Sequence, residues 1–238
     1  MNKTVKTVVE IVLLAAIAGL VYAIYASIMK PVNFNAQMAK RQAVAVQRLK
    51  DIRTLQVAFK SENGRFASTV DSLKDFYNNG TMKVVMQIGT PDDSLTKAHT
   101  DAIKNTIKKK NRKITPAELE AELYEMYLAG DKNIYCSIES KVPVKESVLT
   151  DRTDFCADSL KYIPFSDGQL TEMESTIRMV SGVPVPLFEA RMPFKALLKG
   201  MDNQLRINLD AERRDQNKYE GLQVGSITAP NNNAGNWE

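Results

Sequence analysis

IVLLAAIAGLVYAIYASIM, residues 11–29, carries no charge along its whole length and passes through Lys30 and Pro31 into a segment of different character. As an α-helix rising about 1.5 Å per residue it extends roughly 28 Å, close to the hydrocarbon thickness of a bilayer. Its apolar residues cover every face, whereas a helix buried in a soluble core needs only a stripe. The competing reading is a secretory signal peptide, but the apolar core of such a peptide is usually only about 7–15 residues long. Ala26-Ser27 offers no more than a forced cleavage site, and Tyr22 and Tyr25 stand where an interfacial aromatic belt is expected. The run therefore reads as an uncleaved membrane anchor.

Beyond Pro31, Ala39, Ala43, Val46, Leu49, Ile52, Leu55 and Phe59 recur at spacings of three and four, with Arg41, Gln47, Lys50, Asp51, Arg53 and Lys60 between them. This predicts an amphipathic helix with one apolar stripe that must pack on something downstream. Pro31 cannot donate to the helical ladder, so a kink or brief interruption is expected there.

Without the anchor, some two hundred of the 238 residues remain, enough for one domain with a core and an insertion. The net charge of +4 is mild and gives no reason to expect a nucleic-acid partner. The chain has one histidine, His99, and two cysteines without a CxxC motif, which argues against a zinc site. Cys136 and Cys156 admit two readings: a disulfide, which for a loop of about this size contributes on the order of 3 kcal/mol, or two buried free thiols. There is no phosphate-cradling glycine loop, GxSxG or HExxH. No catalytic, cofactor-binding or metal-ligating residue is assigned, and a non-enzymatic role is expected.

In chain order, a short helix over Val70–Phe76 is expected, capped by Thr69 or Asp71 and closed by Asn78-Asn79-Gly80. A strand follows over Met82–Ile88, ending at Gly89 and Pro91. Residues 92–130 read as a helical insertion. Its first helix carries Leu95, Ala98, Ala102, Ile103 and Ile107 and ends in the basic run Lys108–Lys113. Its second opens on Thr115-Pro116-Ala117-Glu118, a capping-box pattern. The acidic face of that second helix either lies against the lysine run or leaves it a solvated helix end.

Strand alternation resumes over Asn133–Glu139, and Val142, Val144 and Val148 look like its extended continuation. Glu172–Val180 and Val183–Met192 form a hairpin about Ser181-Gly182, with Pro184, Pro186 and Pro193 confining part of the second strand to an edge. Helical pattern returns from Phe194, broken at Gly200, and Leu222–Ile227 supplies a last strand before a polar tail that holds Trp237.

Glu10 heads the apolar run, and two readings hold for it: a carboxylate that snorkels at the membrane surface, or an assembly residue that meets a positive group on a neighbouring subunit. The basic tip, this glutamate, the all-apolar helix, the proline at its far end and the amphipathic continuation resemble the amino-terminal helix of type IV pilins and type II secretion pseudopilins. The resemblance continues through Leu49, Ile52, Leu55 and Phe59 to Glu62-Asn63-Gly64-Arg65-Phe66 and Ser72-Leu73-Phe76, covering about residues 3–80. There Asn63-Gly64 supplies a left-handed cap and Phe66 folds back on the stripe. The chain departs from the family at the processing site: the register set by Glu10 puts Val5 and Lys6 where a pilin precursor has glycine and, usually, phenylalanine.

The resemblance implies an α+β fold in which a single transmembrane helix (residues 8–30, after a cytoplasmic tip 1–7) continues into a long amphipathic helix. That helix packs on a small antiparallel sheet within a pilin-like domain over residues 31–238. It also implies a structural subunit of a secretion or pilus-type envelope assembly, self-associating through residues 11–29. The alternative is a membrane-tethered periplasmic binding module outside any filament. Lys3 and Lys6 favour an inside amino terminus, against Lys30, Lys40, Arg41 and Arg48 on the far side. The expected location is the bacterial inner membrane with the carboxyl-terminal domain in the periplasm. Asp-Ser-Leu at Asp71, Asp93 and Asp158 resembles the short O-glycosylation acceptor of exported Bacteroidetes proteins, implying Ser72, Ser94 and Ser159 as modification sites; helix-start chemistry explains the same pairs.

Overall fold

The computed structural model describes residues 3–90 and 92–238, with side chains from residue 6 onward. The residues Met1 and Asn2 of the expected tip, the side chains of Lys3 and Val5, and the strand-ending Pro91 lie outside the described residues. In chain order the elements are α1 (Lys3–Asn63), α2 (Val70–Asn79), β1 (Thr81–Ile88), α3 (Ser94–Lys110), α4 (Pro116–Leu128), β2 (Cys136–Pro143) and α5 (Val144–Ser147). After a 3-10 turn (Ala157–Lys161) come β3 (Glu172–Val180), β4 (Val183–Pro193), α6 (Phe194–Leu197), α7 (Asn203–Asp215) and β5 (Gly221–Gly225). The fold is α+β, with two small antiparallel sheets where a single one was expected. The chain divides into two compact units, one running up to Lys74 and resuming over Cys156–Glu238, the other Asp75–Phe155.

In the first unit α1 is unbroken through Pro31, so of the expected kink or interruption the interruption is absent. A proline inside a helix costs about 3 kcal/mol or more. The turn around it is nevertheless pinned on both sides: Lys30 is tied to Asp202 at 2.8 Å, and Phe34 is buried one turn later. The helix lays Phe34, Ala45, Leu49, Ile52, Leu55 and Ala58 against β4, β5, α6 and the 3-10 turn. Each fully buried Leu or Ile is worth roughly 1.5–3 kcal/mol relative to an exposed one. The stripe is rotated from the expected one: Ala39 and Ala43 are exposed, Val46 and Phe59 sit at its margin, and Asp51 and Gln56 are inside it.

Gly64 closes α1 at φ +70°, its N–H donating to the Lys60 carbonyl at 2.8 Å, as expected of a left-handed cap. Phe66 then folds back, its ring 4.7 Å from that of Phe188. Thr69 is the cap of α2, accepting from the Ser72 N–H at 3.2 Å.

The sheet of this unit has the order β3-β4-β5. Val180 pairs with Val183 across a two-residue turn in which both Ser181 and Gly182 have positive φ, matching the twist of the hairpin. Of β4, the stretch Glu189–Pro193 alone pairs with β5. The half of β4 that holds Pro184 and Pro186 thus has β3 on one side alone, where a residue without an N–H is tolerated. Pro193 lies beyond Glu189–Arg191, the stretch paired on both sides, and has β5 alone as its neighbour, opposite Gly221. The carboxyl-terminal tail covers the far edge of β5, with Gly225 N–H donating to the Ala234 carbonyl and Asn236 N–H to that of Gln223, each at 3.0 Å.

In the second unit β1 and β2 pair antiparallel, from Thr81 opposite Pro143 to Ile88 opposite Cys136. Ile107, Leu119, Leu123, Ile134 and Cys136 form its core. The capping box at Thr115 and Glu118 is present in full. The lysine run is a solvated helix end; the match to the acidic helix is made by Lys104 and Glu120 at 2.8 Å, and Glu120 also accepts the Ser137 N–H at 2.9 Å. The extended reading of Val144 and Val148 is corrected. Pro143 at φ −54° starts a helical turn, which puts these two residues, four apart, on one buried side.

Gly225 at φ +74° is held where an added Cβ would lie 2.2 Å from the Phe188 carbonyl oxygen. Gly225→Ala is expected to lower the stability of the first unit by at least about 1–2 kcal/mol from the left-handed backbone alone. Urea unfolding followed through the single tryptophan, Trp237, measures this.

Candidate membrane and assembly surface

Among the described residues α1 is the one helix long and apolar enough to cross a membrane, with a window of mean hydropathy 2.4 that is 0 % buried. From Val8 to Ile28 its large apolar side chains stand out on all sides; Leu14 is 66 % exposed and Tyr22 73 %. Glu10 is exposed on this surface. A contiguous apolar surface of such extent is rare on a soluble monomer and marks a lipid or protein contact.

The lower half of the same helix is fastened to its unit by polar contacts as well as by its stripe. Lys30 reaches Asp202, which also accepts the Leu205 N–H at 2.9 Å as the cap of α7. Arg41 Nη1 donates to the carbonyls of Leu197 at 3.0 Å and Lys199 at 2.8 Å, and its guanidinium lies 4.9 Å from the centre of the Phe165 ring. Arg48 donates to the Tyr162 carbonyl, and burial pulls its guanidinium below the ordinary arginine value. Arg53 meets Glu238 of the tail at 2.6 Å. Gln56, fully buried, donates to the Ala67 carbonyl at 2.8 Å and accepts the Ala67 N–H at 2.9 Å, so one side-chain amide satisfies both backbone groups of a loop residue.

These fastening residues were missed in the sequence because arginines between apolar positions look like the wet face of a helix. The signal was their spacing: Phe34, Arg41 and Arg48 recur every seven residues, and Ala45 and Ile52 share that period, so all five lie near one face.

The other sequence-derived candidates are scattered. Cys136 is a buried free thiol and Cys156 an exposed one, and they belong to different units. Ser72 is in the first turn of α2 and exchanges a hydrogen bond with Thr69 at 2.8 Å. Ser94 starts α3 behind its cap Asp93, and Ser159 in the 3-10 turn donates to the Cys156 carbonyl at 2.7 Å. All three Asp-Ser pairs therefore sit at helix starts. Among the described residues no three His, Cys, Asp or Glu side chains are grouped to hold a metal. Comparison with protein-family models, curated proteins and solved structures finds no match.

Lys30 and the Leu205 N–H hold the Asp202 carboxyl below the ordinary carboxylate range. A carboxyl with a depressed folded value contributes stability above its unfolded pKa of about 3.9 and loses it as pH falls through the folded value. The urea midpoint of the first unit, read by Trp237, is expected to drop as the medium is acidified below about pH 4. Asp202→Asn keeps a capping side chain but removes the charge pair, and should make that acid limb shallower.

Proposed function

We propose that this protein is a non-enzymatic, single-pass membrane subunit of a cell-envelope assembly, pilin- or pseudopilin-like in plan. The observation that carries the reading is that one continuous helix exposes an all-apolar half and builds the core of a folded unit with the other. A bilayer accepts the apolar half because its backbone groups are satisfied within the helix. Like helices accept it as well, through close packing. In this reading residues 11–29 lie in the bacterial inner membrane and contact the same residues of neighbouring subunits, and the remainder works in the periplasm.

Glu10 has a specific part in it. A carboxylate within a spanning helix costs around 2.5–3.5 kcal/mol at the midplane and less toward the interface, and such groups pair with one another or with positive groups. Here it meets a cation of the adjacent subunit, which fixes the register between helices.

A photo-crosslinking residue placed at Leu14 or Leu20 is expected to join copies of the chain in native membranes. Glu10→Ala should reduce that product several-fold, as the loss of roughly 0.6–2 kcal/mol of polar contact between membrane helices would, while the Trp237 unfolding transition stays in place. Protein that remains strictly monomeric in the membrane contradicts the assembly reading, and a variant that crosslinks like the parent removes the role of Glu10.

A further inference from the structure

A cleft of about 560 Å³ opens in the first unit beside α7, within the range of small-molecule sites. Arg206, Asp210 and Arg214, at successive spacings of four, bring one face of α7 to it, and Lys195, Lys218 and Glu220 line it from neighbouring segments. The charges are not balanced within the cleft. Arg214 is taken by Glu220 at 2.7 Å, and Arg206 by Asp210 and by Asn203, the latter at 2.8 Å. Lys195 and Lys218 have no carboxylate partner among the described residues.

Asp210 is the second observation. It is 7 % exposed, its Oδ2 accepts from Arg206, and its Oδ1 is buried without a hydrogen-bond donor. Buried carboxylate oxygens are rarely left so. Burial also pushes the Asp210 carboxyl above its ordinary range against the pull of Arg206. The cleft therefore has two exposed ammonium groups without a carboxylate partner at its rim and, enclosed in its wall, a carboxylate oxygen without a donor. The last torsion of an aspartate is soft, so the carboxylate can turn toward a ligand while Arg206 follows.

We propose that this cleft binds a small hydroxylated carboxylate, its anionic group on Lys195 and Lys218 and one hydroxyl donating to Asp210. A neutral sugar leaves the lysines unanswered, and a bare carboxylate leaves the aspartate so. Cationic ligands face four basic side chains against two acids. The inference does not depend on how the apolar helix assembles.

Titration calorimetry of the full chain in nanodiscs tests it, with D-glucuronate as the probe and D-glucose and acetate as controls. Glucuronate is expected to bind saturably, and each control at least about tenfold more weakly, the size of one lost charge-assisted hydrogen bond. The double variant Lys195→Ala/Lys218→Ala changes only exposed side chains, so its Trp237 transition should be unchanged while its affinity for glucuronate falls at least about tenfold. Asp210→Asn should weaken glucuronate as well. The proposal is overturned if glucuronate gives no saturable heat, if acetate binds as tightly, or if the double-lysine variant binds like the parent.

Discussion

The first unit depends on one packing contact, the burial of the Phe34-to-Ala58 face of α1 against β4, β5 and α6. Leu49, Ile52 and Leu55 are completely enclosed, as are Phe188, Phe194 and Leu197 opposite them. At roughly 1.5–3 kcal/mol per enclosed aliphatic side chain, this face outweighs the exposed ion pairs along the same helix, which contribute about 0–1 kcal/mol each. What the polar contacts add is register. Arg41, Arg48 and Gln56 each reach backbone groups of a particular loop, and those groups lie within reach only when the stripe is seated in one way. The apolar contact sets how strongly the helix is held, and the fasteners set where.

The second unit is governed by shorter-range rules. A capping box starts α4, a buried Thr100 accepts the Tyr135 N–H at 3.1 Å, and Glu120 joins Lys104 to the start of β2. These are local satisfactions of polar groups around a small core of Ile107, Leu119, Leu123, Ile134 and Cys136. Its basic helix end is left to solvent because one lysine, a turn earlier, already meets the inward-facing glutamate.

Much of this was legible in the sequence, where a single local rule decides the outcome. The Asn63-Gly64 cap, the Thr115–Glu118 box, the Ser181-Gly182 hairpin and the break at Gly200 each follow from the chemistry of two to four residues. The misreadings occurred where tertiary contact overrides periodicity. Alanines at positions 39 and 43 fit an apolar stripe but face solvent, because the face is chosen by the larger Phe34 and the heptad of arginines. One misreading was local instead: Val144 and Val148 continue a β pattern, yet a proline starts a helical turn before them. The break at Pro31 is avoided by contacts with distant residues, which no local window contains. The Arg206–Asp210 pair is likewise indistinguishable in sequence from a surface ion pair; only the fold shows that its aspartate is enclosed and short of a donor.

The functional account rests on one rod with two characters, bare and apolar above Pro31 and embedded in a folded unit below it. Glu10 and the aromatic pair Tyr22 and Tyr25 acquire their proposed roles only if the two halves stay joined in the mature protein. The most direct test is carbonate extraction of native membranes followed by mass analysis of the amino terminus. The account predicts chain in the membrane pellet with residues 11–29 intact. Soluble protein that begins beyond Met29 would contradict it.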